Sequence, residues 1–182
     1  MSARAQRAQN TPMQIVVNRA LPGCTGCRMC EKMCAIQHER ELNPEMSRIK
    51  VYQFYPGPID VPIVCQYCAD RPCIAACPTG ALRIDAKTNQ MAVDEATCNT
   101  CRACNQACID NGRGGCITFH PTKGIAQICD LCGGDSQCAK YCPARILSPM
   151  PASNLSKRQA KPARYIADRI AEQFYPAKTS PF

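Results

Sequence analysis

Four short runs of cysteine constrain this chain more than any other feature. Cys24, Cys27, Cys30 and Cys34 follow C-x2-C-x2-C-x3-C, and Cys98, Cys101, Cys104 and Cys108 repeat that spacing. Cys65, Cys68, Cys73 and Cys77 widen the middle gap to four residues. Cys129, Cys132, Cys138 and Cys142 widen it to five. The second and fourth runs are each followed by a proline, Pro78 and Pro143. A repeat of roughly 35 residues is thus visible before any secondary structure is assigned. Of the 17 cysteines, only Cys116 stands outside it.

Cysteine density of this kind means disulfides or metals. Disulfide scaffolds belong to secreted chains, and the opening Met1-Ser2-Ala3-Arg4-Ala5-Gln6-Arg7 has no apolar signal segment. The odd count would also strand one thiol. A cytoplasmic, metal-binding protein is expected. Only 30 of the 182 residues are Leu, Ile, Val or Phe, and none is Trp. So small a stock of large apolar residues argues against an ordinary α/β enzyme core. No apolar run approaches the roughly 20 residues of a membrane span, so no membrane insertion is expected.

The spacing then selects among metals. A zinc ribbon sets two C-x2-C pairs far apart around one ion. Here a third cysteine follows at once, which suits three corners of a cubane, while the fourth reaches a neighbouring cluster. That run is the bacterial two-cluster ferredoxin signature. Its four occurrences point to four [4Fe–4S] clusters.

Between the runs the sequence reads as short hairpins. Leu82-Arg83-Ile84 and Met91-Ala92-Val93 flank the polar turn Lys87-Thr88-Asn89. Ile117-Thr118-Phe119 and Ile125-Ala126-Gln127-Ile128 flank Pro121–Gly124, and Gln14–Val17 reads as a strand before the first run. Residues 61–119 therefore form one two-cluster unit with exchanged fourth ligands. Cys65, Cys68, Cys73 and Cys108 would hold one cluster, and Cys98, Cys101, Cys104 and Cys77 the other. The first and fourth runs are left to pair around it, as residues 14–60 plus 120–150. Cys24, Cys27, Cys30 and Cys142 would then hold a third cluster, and Cys129, Cys132, Cys138 and Cys34 a fourth. Pairing of adjacent runs, first with second and third with fourth, remains open at this level. The fold class is α+β: two pseudo-symmetric ferredoxin-like units, one nested in the other. A basic tail, 1–13, precedes them, and a basic linker with a helix, 151–182, follows.

The run Cys24-Thr-Gly-Cys27-Arg-Met-Cys30-Glu-Lys-Met-Cys34-Ala-Ile-Gln-His38, with Ile128-Cys129-Asp130-Leu131-Cys132, resembles a known family. It is that of the four-cluster ferredoxin subunits of molybdenum and tungsten oxidoreductases, as in dimethyl sulfoxide reductase and formate dehydrogenase. The resemblance covers about residues 14–150. It implies the nested pairing and a non-catalytic electron-transfer role beside a large tungsten or molybdenum subunit. The chain looks most like soluble partners such as the ferredoxin subunit of tungsten aldehyde oxidoreductase. Relatives also serve hydrogenases and carbon monoxide dehydrogenase, and a free-standing polyferredoxin is the other reading. One departure is Ile109, where a proline would follow Cys108.

The remaining candidates read blandly. Cys116 is expected to be a small buried residue at a strand start, with ligation in place of Cys108 as the alternative. His38 and His120 are expected to face solvent or sit in loops, because a Rieske centre needs two histidines on one iron. Asn111-Gly112-Arg113-Gly114-Gly115 matches no phosphate-binding pattern and reads as a turn. No catalytic constellation stands out.

The net charge of +8 misleads. Residues 1–23 carry three bases and no acid, and residues 151–182 carry six against two, leaving +1 for 24–150. Loaded clusters at about −2 each would make that core acidic. Nucleic-acid binding is not expected. In the tail, Ile166, Ile170 and Phe174 share one face of a helix over 163–174, which Pro176 ends. So short a helix must dock, either on its own core or on another subunit, a further copy of this chain included.

Overall fold

The computed structural model describes residues 13–18, 23–55, 59–152 and 161–174. Residues 1–12, the linker stretch 153–160 and Pro176 lie outside them. The described chain is a small mixed α/β structure of short strands and few helices. Its strands are β1 (Met13–Val17), β2 (Ile49–Phe54), β3 (Ile59–Val64), β4 (Leu82–Ile84), β5 (Met91–Val93), β6 (Thr118–Phe119), β7 (Ala126–Gln127) and β8 (Leu147–Pro151). Its helices are α1 (Met29–Glu39), α2 (Pro72–Ala75), α3 (Ala103–Asp110), α4 (Gln137–Lys140) and α5 (Ala163–Phe174).

Among the described residues the strands form four two-stranded antiparallel sheets, β1–β8, β2–β3, β4–β5 and β6–β7. The β4–β5 hairpin, with Leu82 opposite Val93, joins the second cysteine run to the third. The β6–β7 hairpin, with Phe119 opposite Ala126, joins the third to the fourth. In each, an Asp85 or His120 side chain accepts backbone N–H groups of the turn, from Lys87 and Thr88 in one and from Thr122 and Lys123 in the other. The pairing of β1 with β8, from Met13 opposite Pro151 to Val17 opposite Leu147, clasps the two ends of the cysteine region.

Strands β2 and β3 were not foreseen. Pro62 sits inside β3, and a proline demotes a strand reading. Here it lies opposite Val51 in a sheet of only two strands, where an unpaired backbone edge tolerates it. This hairpin straddles residues 60 and 61, between which the two units were divided on the cysteine spacing. Ile49, Val61 and Val64 from it join Ile15 and Leu131 as the most deeply buried aliphatic side chains.

Helix α5 lies against β3 and β2. Ile166, Ala167 and Ile170 are buried there. Arg164 stacks over the Phe54 ring at 5.7 Å. The apolar stripe of the tail is therefore covered by its own chain. Each isoleucine so buried contributes about 1.5–3 kcal/mol. The glycine-rich turn 111–115 supports the same region. A Cβ on Gly114 would come within 2.8 Å of the Lys161 carbonyl oxygen just before α5.

Candidate iron–sulfur sites

Each cysteine run folds the same way. The residue just before the second cysteine, Gly26, Tyr67, Thr100 or Leu131, has a positive φ between 50° and 65°. Three of these four are not glycine, and the left-handed region costs an ordinary residue about 1–2 kcal/mol. Borne at the same position in three loops, and avoided by Gly26 in the fourth, that strain has a common purpose. Alternating backbone hands turn successive N–H groups into a concave nest for anions. The third cysteine then occupies the second position of a helix: Cys30 in α1, Cys73 in α2, Cys104 in α3 and Cys138 in α4. Helix starts present amides with no partner inside the helix. The fourth cysteine follows one helical turn on.

Folding brings these residues together in sets. Cys65, Cys68, Cys73 and Cys108 line one cavity, with Tyr67, Arg113, Cys116 and Ile117. Cys34, Cys129, Cys132 and Cys138 line a second, with His38, Arg48 and Ser136. Cys24, Cys27, Cys30 and Cys142 line a third, walled by Val51, Pro62, Ile146 and Leu147. The remaining set is more open. Cys101 and Cys77 both lie near Cys104, and Cys98 precedes Cys101 in the same loop. Three thiol pairs close enough to feel each other's charge link the sets in a row. Cys30 neighbours Cys138, Cys129 neighbours Cys65, and Cys73 neighbours Cys104. Cys65 and Cys129, at the centre, are buried, whereas Cys27 and Cys101, at the two ends, are exposed.

Thiol chemistry matches an electron-deficient metal. Burial pushes Cys30, Cys73 and Cys138 up to about 12, and Cys104 up to about 11. Buried thiolates crowded together need cations, and iron supplies them by replacing the protons. Sulfur acceptors also have partners waiting. The Arg48 amide donates to Cys34 Sγ at 3.3 Å. The donor set and the nest-forming loops therefore fit iron–sulfur clusters.

Cys116 is buried just before β6, and its thiol donates to the Arg113 carbonyl at 3.2 Å. It also lies against Cys108. The Cys116 side chain, then the Cys116 and Gly115 amides, draw Cys108 below the ordinary thiol range, while the Cys108 side chain and burial push Cys116 up.

The histidines are not solvent-facing. His120 does sit in the β6–β7 turn, but it is buried, its Nδ1 accepting turn amides and its Nε2 lying 3.5 Å from Glu39. His38 lies in the last turn of helix α1, with Nε2 3.7 Å from Cys132 Sγ and 3.4 Å from Asp130. Sequence reading also passed over Arg48, Ser136, Glu31 and Asp60, which surround the cysteines. Lone polar residues carry no spacing signal, so only the fold reveals them.

No protein-family model matches the chain. Among curated proteins it is 46% identical over 119 residues to the polyferredoxin-like subunit of an aliphatic sulfonate oxidoreductase from Pyrococcus furiosus. That alignment covers 65% of this chain and 66% of the relative, a little under two thirds of its length. It is 30% identical over 155 residues to one subunit of the anaerobic dimethyl sulfoxide reductase of Escherichia coli, covering 74% of this chain and 72% of that subunit. The Escherichia coli electron transport protein HydN is 27% identical over 163 residues, with 79% and 92% covered. Among the described residues no helix is long and apolar enough to cross a membrane.

Proposed function

The protein belongs to the family of ferredoxin-type iron–sulfur subunits of oxidoreductases, and from that premise we propose that it relays single electrons through four [4Fe–4S] clusters to or from a large catalytic subunit carrying tungsten or molybdenum. Its ligands are Cys24, Cys27, Cys30 and Cys142; Cys34, Cys129, Cys132 and Cys138; Cys65, Cys68, Cys73 and Cys108; and Cys77, Cys98, Cys101 and Cys104. The reading divides the cysteine region into two pseudo-symmetric ferredoxin-like units. The inner spans residues 61–119, and the outer spans 14–60 with 120–150. A cytoplasmic, reducing setting belongs to it, because free thiols must persist until iron arrives.

The observation that carries this proposal is the row of cysteine sets with the buried Cys65 and Cys129 in the middle and an exposed cysteine at either end. Each cluster, when bound, supplies a one-electron site. The chain does the rest. Its left-handed loops and helix starts direct amides at the sulfurs. Its small apolar side chains exclude water from the central sets. Four thiolates per cluster leave no iron free for substrate, so catalysis belongs to the partner.

The test is isolation from the native source without oxygen, with iron, tungsten and molybdenum counted. About sixteen irons per chain, four reducible paramagnetic centres and a co-purifying tungsten or molybdenum subunit are expected. Zinc in place of iron refutes the cluster assignment. A partner without tungsten or molybdenum, such as a hydrogenase, or no partner, replaces the proposed one with the alternative family roles.

A further inference from the structure

The cavities of the outer unit differ sharply in what surrounds the cysteines. Around Cys34, Cys129, Cys132 and Cys138 the polar groups are mostly donors. Ser136, which lines this cavity, is 5% exposed, and its Oγ is buried with no hydrogen-bond partner among the described residues. The Arg48 amide donates to Cys34 Sγ, and His38 Nε2 stands 3.7 Å from Cys132 Sγ. One carboxylate, Asp130, is near, but it is occupied. Its Oδ2 accepts from the Arg48 guanidinium at 2.8 Å and its Oδ1 from the Cys132 amide at 3.0 Å.

Around Cys24, Cys27, Cys30 and Cys142 the polar lining is Thr25 and Arg28, and two carboxylates stand just behind it, Glu31 near Cys30 and Asp60 near Cys24. Glu31, adjacent to Cys30, is 2% exposed. Its Oε1 accepts the Val51 amide at 2.7 Å, while its Oε2 is buried without a hydrogen bond. Asp60 packs so closely under the Cys24–Cys27 loop that a Cβ on Gly26 would lie 2.7 Å from both carboxylate oxygens. Its Oδ1 is likewise buried without a partner. The one guanidinium here, Arg28, is 45% exposed and 4.0 Å from Glu31, so solvent screens it. The apolar wall includes Val51, Pro62, Ile146 and Leu147.

Reduction adds one negative charge to a cluster. Donors aimed at the sulfurs stabilise that charge, and buried carboxylates oppose it. We infer that the relay contains a built-in step: the cluster of Cys34, Cys129, Cys132 and Cys138 is the electron-holding site of the outer unit, raised in potential by Ser136 and Arg48, while Glu31 and Asp60 keep the cluster of Cys24, Cys27, Cys30 and Cys142 harder to reduce. This rests on the cluster assignment above. Ser136 and Glu31 act as positioning residues, through charge and hydrogen bonding rather than ligation. An electron arriving at the exposed end near Cys27 would fall inward and stay until drawn onward.

The experiment is a redox titration of the loaded full-length chain followed by paramagnetic resonance. Wild type, Ser136→Ala, Ser136→Thr and Glu31→Gln are compared at equal iron content. Signals are assigned with Cys132→Ser and Cys27→Ser, each altering one of the two clusters. The Cys132-marked centre is expected to have the higher midpoint. Ser136→Ala should lower that midpoint alone, and Ser136→Thr should restore it. Glu31→Gln, which keeps an oxygen for Val51, should raise the midpoint of the Cys27-marked centre alone. Reversed order, or variants that shift neither midpoint, overturn the inference while leaving the relay standing. If Ser136→Ala loses iron, Ser136→Thr and Glu31→Gln decide. A wild-type chain without four clusters refutes the relay itself, which is a separate result.

Discussion

The Tyr67 hydroxyl donates to the Cys129 carbonyl at 2.9 Å and accepts the Met91 amide at 3.3 Å. Tyr67 is 3% exposed and stands in the loop between Cys65 and Cys68. One side chain therefore ties a cysteine loop of residues 61–119 to the loop that opens the fourth run. Tyr67→Phe leaves a buried carbonyl and a buried amide without their partner, at about 1–3 kcal/mol. Hydrogen exchange at the Met91 amide should accelerate roughly tenfold or more, with iron content unchanged. Exchange as slow as wild type would show that the hydroxyl does not hold the two loops together.

Cys108 and Cys116 make opposite predictions. Cys108→Ser should remove about one cluster, roughly four irons, and the lost signal should be that of the Cys65, Cys68 and Cys73 set. Cys116→Ser keeps a donor for the Arg113 carbonyl and should retain iron near the wild-type count. Iron counts in the reverse pattern would make Cys116 the ligand.

What the sequence made legible was whatever repeats. The cysteine spacing, the strand before Cys24 and the hairpins after Cys77 and Cys116 all carry a period or a turn signal. So does the tail helix, whose described bounds, Ala163–Phe174, match its apolar spacing. The β2–β3 hairpin was hidden by Pro62 and by a six-residue strand, Ile49–Phe54, in which only Ile49 and Val51 are buried. The short helices after each third cysteine were hidden too. At four residues, α2 and α4 are below any periodic signal and are held by the loops around them. His38, Arg48 and Asp130 meet across 82 or more residues, and long-range polar contacts of that kind leave no trace in local composition.

Removing the iron should unfold most of the chain. Two-stranded sheets are marginal alone in water, and the buried aliphatic residues are few. Anaerobic chelation at mildly acidic pH, where thiolates take up protons, should abolish most of the circular dichroism of the loaded protein. A compact state that still unfolds cooperatively after chelation would mean that packing alone suffices.

Helix α5 buries Ile166 and Ile170 on its own chain. Ile170→Asp should release it, because an unpaired charge there has no partner and the apolar contact is lost. Limited proteolysis should then cut within residues 161–174 at least tenfold faster, with iron and solution mass unchanged. A fall in mass would show that this helix also holds copies of the chain together.

The hydrogen-bonded pairing of β1 with β8 has a consequence for manufacture. A ribosome delivers Met13–Val17 more than a hundred residues before Leu147–Pro151 exists to receive them. Under the nested assignment, Cys24, Cys27, Cys30 and Cys34 also wait about a hundred residues for their partners, whereas residues 65–108 emerge as a complete set. Iron should therefore be loaded first into the two sets completed within residues 65–108. A chain cut off before Cys129 would be half a wire, keeping the row from Cys65 to the exposed Cys101 and unable to pass an electron on through the outer unit.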